Sequence, residues 1–321
     1  MLALKQSENY MEILSQYGLF LLKTVTIVLA FLVIFAGFFS LSRKPKPKME
    51  ITSLNEHYNE IHTVMSKEIL GTKRVKKKNK KENKPVLFVI DFQGDMKASQ
   101  VEQLRDEVTA ILSIAKPNDE VLVRLDSPGG VVNSYGLAAS QLQRIRDKQI
   151  PLTVSIDKVA ASGGYLMACV ANKIVAAPFA IIGSIGVVAQ IPNFHRWLKN
   201  HDVDVELLTA GEFKRTLTLF GENTEKGREK MQEDLEKIHL AFRNYVAMNR
   251  TELDLDKVAT GEHWLAKDAF ELKLVDELLT SDEYLMRKIA QYHAFKLSIA
   301  PRVSVINKLL KPAMRYLSIW G

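Results

Sequence analysis

Two glycine-flanked turns hold the residue types that can do chemistry. Asp126-Ser127-Pro128-Gly129-Gly130-Val131 follows a short apolar run, and its paired glycines leave backbone N–H groups open to a reacting oxygen. Such donors suit an oxyanion hole; a strand-to-helix turn that uses Pro and Gly for geometry alone has the same composition. Ala160-Ala161-Ser162-Gly163-Gly164-Tyr165 sets a serine among small residues at a second strand-to-helix junction. A hydroxyl there can attack, since a helix N-terminus favours developing negative charge, or it can serve as a plain N-cap. It is not a G-x-S-x-G elbow, because Ala160 fills the first position. A third such turn, Gly183-Ser184-Ile185-Gly186, also follows a strand, where α/β folds place ligands.

A serine nucleophile needs a base, and histidine is the usual one. None of the seven histidines sits in a motif. His57 and His62 lie in a basic stretch, His239 in a charged helix and His293 near the tail, while His195, His201 and His263 have polar surroundings. Lysine is the alternative, but with an ordinary pKa near 10.4 it is under ~0.1% neutral at pH 7, so burial must lower it by several units. Lys214, in Gly211-Glu212-Phe213-Lys214-Arg215-Thr216, has Phe213 beside it. Alone it reads as a surface lysine.

The order of these motifs is more specific than any one of them. DSPGG at 126–130, ASGGY at 161–165, GSIG at 183–186 and GEFK at 211–214 resemble the SppA/SohB family of Ser-Lys membrane peptidases. ASQLQRIRDK at 139–148 and TLTLFGENTEKGREK at 216–230 extend the resemblance to essentially the whole chain, as far as about Lys296. It implies an α/β, ClpP/crotonase-like fold with Ser162 as nucleophile and Lys214 as general base. It further implies that the Gly130 and Gly163 N–H groups form the oxyanion hole and that Ser184 orients the lysine. The expected enzyme is a serine endopeptidase that needs no metal or organic cofactor, acting on leader-peptide remnants or other membrane-proximal polypeptides. A homo-oligomer with active sites shared between protomers is implied as well. Two other readings remain open: a catalytically inactive membrane scaffold of the same fold, and a crotonase-like acyl-CoA enzyme. The latter does not need both Ser162 and Lys214.

The elements that must position these residues alternate. Pro85–Ile90, Val121–Leu125, Pro151–Ile156 and Ile174–Ala176 read as buried strands. Helices are expected from Val101 to Leu112, ended by Pro117, and over Ser134–Arg146, Ser162–Val170 and Glu225–Met248. Val203–Leu208 alternates like a further strand, and a last helix–strand pair is expected over Ala266–Leu279. Alternating strands and helices predict a largely parallel sheet. The peptidase domain is placed at 85–295, with a basic C-terminal tail at 296–321.

Ahead of that body, Tyr17–Phe39 is an apolar stretch of 23 residues with one charge, Lys23. A helix of that length spans roughly 35 Å, enough for a bilayer core. No small-residue cleavage site follows, so residues 1–39 read as an N-terminal tail and an uncleaved single-pass anchor rather than a secretory signal peptide. Arg43, Lys44, Lys46 and Lys48 follow it closely, which places the bulk of the chain on the cytoplasmic side of a bacterial plasma membrane.

The formal net charge of +7 is concentrated in residues 43–84, which hold 13 Lys/Arg against 5 Asp/Glu. Residues 40–84 therefore read as a basic, partly helical linker. Leu54, Tyr58, Ile61, Met65 and Ile69 recur there at helical spacing, as an amphipathic helix or as a solvated tether. Attraction to lipid is expected of the run 73–84; no aromatic interleaves its charges as a nucleic-acid platform would need, so no specific nucleic acid is expected. One cysteine, Cys169, excludes an intrachain disulfide and a cysteine-built zinc site, and no cluster has metal-ligand spacing.

Overall fold

The computed structural model describes residues 16–32, 35, 49–71 and 84–299. They fall into two units, residues 1–48 with 300–321, and Met49–Ile299. In the first, residues 16–32 form a helix, α1, whose Leu22, Ile27 and Phe31 side chains are exposed. Among the described residues no helix is long and apolar enough to cross a membrane. The remainder of the expected span over 17–39, the basic run 73–83 and the tail from 300 onward lie outside the described residues.

In chain order the second unit holds β1 (Met49–Ser53), α2 (Leu54–Leu70), β2 (Val86–Gln93), α3 (Val101–Ile114), β3 (Glu120–Asp126), α4 (Val132–Asp147), β4 (Leu152–Ile156), β5 (Val159–Ala161), α5 (Gly163–Ala168) and β6 (Lys173–Ala176). There follow β7 (Ile181–Gly183), α6 (His195–Lys199), α7 (Glu225–Asn249), α8 (Leu255–Val258), β8 (His263–Leu265), α9 (Ala266–Glu271), β9 (Glu277–Leu278), α10 (Ser281–Ile289) and β10 (His293–Ile299). A seven-stranded sheet runs β1-β10-β2-β3-β4-β6-β9. All its neighbours are parallel except β1, which lies antiparallel along β10. The fold is thus α/β with a mostly parallel sheet, as the alternating pattern predicts.

Central parallel strands are covered on both faces, which is why β2, β3 and β4 are near-continuous apolar runs. On one face Phe88, Ile90, Val121, Val123 and Val154 pack with Leu104, Val108 and Ile111 of α3 and Leu142 and Ile145 of α4. On the other, Leu87, Val89, Leu122 and Val175 meet Tyr284 and Leu285 of α10. A second sheet, β5-β7-β8, branches off after β4 and leads the chain into the serine turn.

The sheet also reaches into the stretch read as linker. β1 pairs Ile51 with Leu297, and Asn55 of α2 donates through Nδ2 to the Ile289 and Tyr292 carbonyls while its Oδ1 accepts the Ala294 N–H. The expected strand over Val203–Leu208 does not form. All six of its residues are exposed, and among the described residues no strand lies beside it. Alternation alone gives a strand no partner for its backbone hydrogen bonds.

Candidate active site

Ser162 is held in an unusual backbone conformation. Its φ is 52° and its ψ −119°, outside the regions a residue with a Cβ ordinarily occupies. Such a conformation costs about 1–3 kcal/mol and persists only where the surroundings enforce it. Here the Ser162 N–H donates to the Gly183 carbonyl at 2.8 Å, and the Leu166 N–H to the Ser162 carbonyl at 2.9 Å. One residue earlier, the Ala161 N–H donates to the Ser127 carbonyl at 3.0 Å. The Ser162 side chain makes no capping hydrogen bond to α5, although it occupies the N-cap position. Of the two roles open to it from sequence, capping is not the one its hydroxyl performs.

The glycines of the 126–130 turn are there for close approach. Gly129 has φ +88°, and a Cβ on it would lie 2.7 Å from the Gly163 nitrogen and 2.8 Å from Ser162 Cβ. A Cβ on Gly130 would lie 2.2 Å from the Met96 carbonyl oxygen. The two turns therefore touch, and Gly130, Ser162 and Gly163 line one cleft. Among the described residues, neither the Gly130 nor the Gly163 N–H donates to another group. Two orphaned backbone donors beside a free serine hydroxyl can stabilise the oxygen of a tetrahedral adduct.

Beneath this turn lies a hydrogen-bonded chain that sequence reading missed. Ser127 Oγ and the Tyr135 hydroxyl are 2.7 Å apart, the Tyr135 hydroxyl donates to the Asp95 carbonyl at 2.8 Å, and the Gly129 N–H donates to Ser127 Oγ at 3.2 Å. With the tyrosine proton committed to Asp95, the serine proton must point to the tyrosine oxygen. Both side chains are fully buried, and burial pushes the Tyr135 phenol above its ordinary pKa. Ser127 stood inside a noted motif; Tyr135 carried no sequence signal beyond being an aromatic in a mixed helix.

Ser184 follows Gly183, the residue that holds the Ser162 N–H, and itself has φ 54° with its N–H donating to the Glu262 carbonyl at 2.6 Å. Lys214 is exposed, on the irregular segment between α6 and α7, and is not among the residues lining the cleft at Ser162. Its neighbours tie that segment to the start of α7: Glu212 pairs with Lys226, and the Lys226 and Lys230 ammonium groups stand 5.7 and 5.8 Å from the Phe213 ring centroid. The chain thus brings Ser162, Gly130, Gly163 and the Ser184 turn together, while Lys214 does not line their cleft. His195, His201 and His263 do not line the cleft. His239 Nε2 lies 3.2 Å from the Ile185 carbonyl oxygen. No three His, Cys, Asp or Glu among the described residues gather as a metal site requires.

A probable protease SohB of Haemophilus influenzae is 48% identical over 94% of this chain and 93% of its own length. A probable protease SohB of Buchnera aphidicola is 46% identical over 87% of this chain and all of its own length. Among solved structures, a mutant of the 1510-N membrane-bound stomatin-specific protease, in complex with a substrate peptide, overlays with a TM-score of 0.46 at 13% identity. That overlay covers 71% of this chain and 99% of the other, and is too distant to carry residue roles across. Residues 144–294 match the description Peptidase family S49, and residues 12–142 match Peptidase family S49 N-terminal. The chain belongs to peptidase family S49 and is a protease.

Proposed function

We propose that this protease is a membrane-anchored serine endopeptidase of ClpP/crotonase-like fold that works through Ser162 and Lys214. The observation that carries the reading is the strained Ser162, its hydroxyl uncommitted, beside the unpartnered Gly130 and Gly163 N–H groups. Neutral Lys214 takes the Ser162 proton as Oγ bonds to a peptide carbonyl carbon, and the carbonyl electron pair moves onto an oxygen held by the two N–H groups. Collapse of the adduct breaks the C–N bond, and the Lys214 ammonium protonates the departing amine. A water deprotonated by Lys214 then attacks the ester carbon, releasing the acid and restoring the serine hydroxyl. Ser184 orients the lysine.

Lys214 does not line the cleft at Ser162 and lies on a segment that exposes Val203, Leu208, Phe213 and Phe220. That supports delivery of Lys214 to the Ser162 of a neighbouring protomer in a homo-oligomer, the apolar segment being covered by the contact. The apolar stretch over 17–39 anchors the chain in the inner membrane, and the basic residues behind it hold the body on the cytoplasmic side near anionic lipid. Substrates are then membrane-proximal polypeptides such as leader-peptide remnants.

The test is fluorophosphonate labelling of the membrane fraction, mapped to a residue, with hydrolysis by the detergent-solubilised chain. Labelling is expected at Ser162, and Ser162→Ala and Lys214→Arg each lose several orders of magnitude in turnover. Mixing these two variants restores activity if the pair acts across a protomer boundary. Near-normal turnover by Lys214→Arg, which keeps the charge but cannot accept a proton at working pH, overturns the assignment.

A further inference from the structure

Residues 203–224, which carry Lys214, belong to no helix or strand. A lysine on such a segment has no element of its own to aim it. What holds the chain on either side of Lys214 is the start of α7, where the sequence reads TEKGREK over 224–230.

Three contacts fasten the segment there. Glu212 pairs with Lys226, both side chains being exposed. The Phe213 ring lies beside two ammonium groups, Lys226 Nζ at 5.7 Å and Lys230 Nζ at 5.8 Å from its centroid. Lys230 is itself fixed, because it also pairs with Glu233 at 2.9 Å and Asp234 at 2.8 Å, three and four residues along the helix. Beyond the lysine, the Thr216 carbonyl closes on Gly227, where a Cβ would lie 2.3 Å from the Thr216 oxygen. Gly227 is buried and its N–H already donates to Thr224 Oγ1 at 3.1 Å, so what the missing side chain provides is close approach. The turn that bears the lysine is closed by the Lys214 N–H, which donates to the Gly211 carbonyl at 3.2 Å, with Gly211 at φ +97°. The segment is thus tied down at 212, 213 and 216. Between those ties, Lys214 makes no side-chain hydrogen bond or ion pair among the described residues.

We propose that the start of α7 is a platform that presents Lys214, with Lys226 and Lys230 as positioning residues and Gly227 setting how closely the segment seats. The inference rests on Lys214 being the general base. A base acts only within hydrogen-bonding reach of the proton it takes, so a loosened seat costs turnover. Lys226, Gly227 and Lys230 do not line the cleft at Ser162, so substrate binding there is left alone.

The experiment measures kcat and KM of the full chain in detergent with one quenched peptide. Lys226→Met combined with Lys230→Met removes both ammonium groups and keeps much of the stems. Exposed contacts of these kinds each favour one geometry by a factor of about two to five, so kcat should fall about tenfold with KM within about twofold of the parent. Lys226→Arg combined with Lys230→Arg keeps the charge and the ring contact, and should hold kcat within about threefold. Gly227→Ala forces the Thr216 carbonyl back by about 1 Å, and a misplacement of that size should cost about a hundredfold in kcat. Should Gly227→Ala fail to fold, the lysine variants decide. If a mixture of Ser162→Ala and Lys214→Arg chains recovers activity, adding the two methionine changes should depress it only on the Ser162→Ala chain, which supplies Lys214. Equal depression from either chain overturns the platform, as does a raised KM with unchanged kcat, the mark of a substrate contact. Parent-like kcat in the double methionine variant, with Lys214→Arg inactive, overturns the platform and leaves Lys214 as the base. Near-normal turnover by Lys214→Arg overturns both.

Discussion

Tyr135→Phe tests whether the buried chain beneath the oxyanion turn positions that turn. The change removes one oxygen and keeps the ring, which fills the space a Cβ on Gly163 would need, 2.4 Å from Tyr135 Cγ. Packing is thus preserved and only hydrogen bonds are lost. Ser127, fully buried, loses the acceptor of its proton at 2.7 Å, and the Asp95 carbonyl loses its donor at 2.8 Å. An orphaned buried hydroxyl costs about 1–3 kcal/mol, and the Asp95 bond, which water can replace, adds at most about 1. A loss of about 1–4 kcal/mol in unfolding free energy is therefore expected. Complete loss of an oxyanion donor costs about 10²–10³ in kcat, so a displaced one should cost about tenfold to a hundredfold, with KM little changed. Ser127→Ala cuts the same chain at its middle, since Ser127 Oγ also accepts the Gly129 N–H. In a double-mutant cycle read by urea unfolding and by kcat, the pair should cost little more than the worse single variant. Additive losses, or a Tyr135→Phe chain with unchanged kcat, would refute the positioning role.

Two further outcomes follow from single residues. Gly129→Ala adds a Cβ at φ +88° and within 2.8 Å of three atoms of the serine turn, so hydrolysis should fall at least a hundredfold; activity within tenfold of the parent would contradict the proposed contact between the two turns. Burial raises the Glu107 carboxyl to about 7, and its Oε1 accepts from Gln103 Nε2 at 2.8 Å and the Ile299 N–H at 3.1 Å. A raised acid pKa means the folded chain holds a proton that the unfolded chain has released between about pH 4.5 and 7. Stability should fall across that window by at most about 3 kcal/mol and be level above it, while Glu107→Gln, which cannot ionise, should show no such fall. Parallel stability curves for the two chains from pH 5 to 8 would dismiss it.

What the sequence reveals and what it hides divide along one physical line. The strands β2, β3, β4 and β6 were legible because burial on both faces forces a continuous apolar run, a property of the segment itself. The turns that hold Ser162, Gly130 and Gly163 were legible because small residues at a strand end announce close backbone approach, while the roles expected of these residues came only from the resemblance carried by the order of the motifs. Val203–Leu208 misled because alternation is also local, whereas a strand needs a neighbour, and this chain supplies none among its described residues. β1 was hidden for the converse reason. Met49–Ser53 carries little apolar content of its own and becomes a strand only by pairing with β10, across more than two hundred residues of chain. Tyr135 of α4 makes the same point beside the serine turn. Its hydroxyl is placed by Ser127 and the Asp95 carbonyl, one on the turn after β3 and the other after β2. Motifs built from neighbouring residues can be read in this way; contacts made by pairs of distant segments cannot.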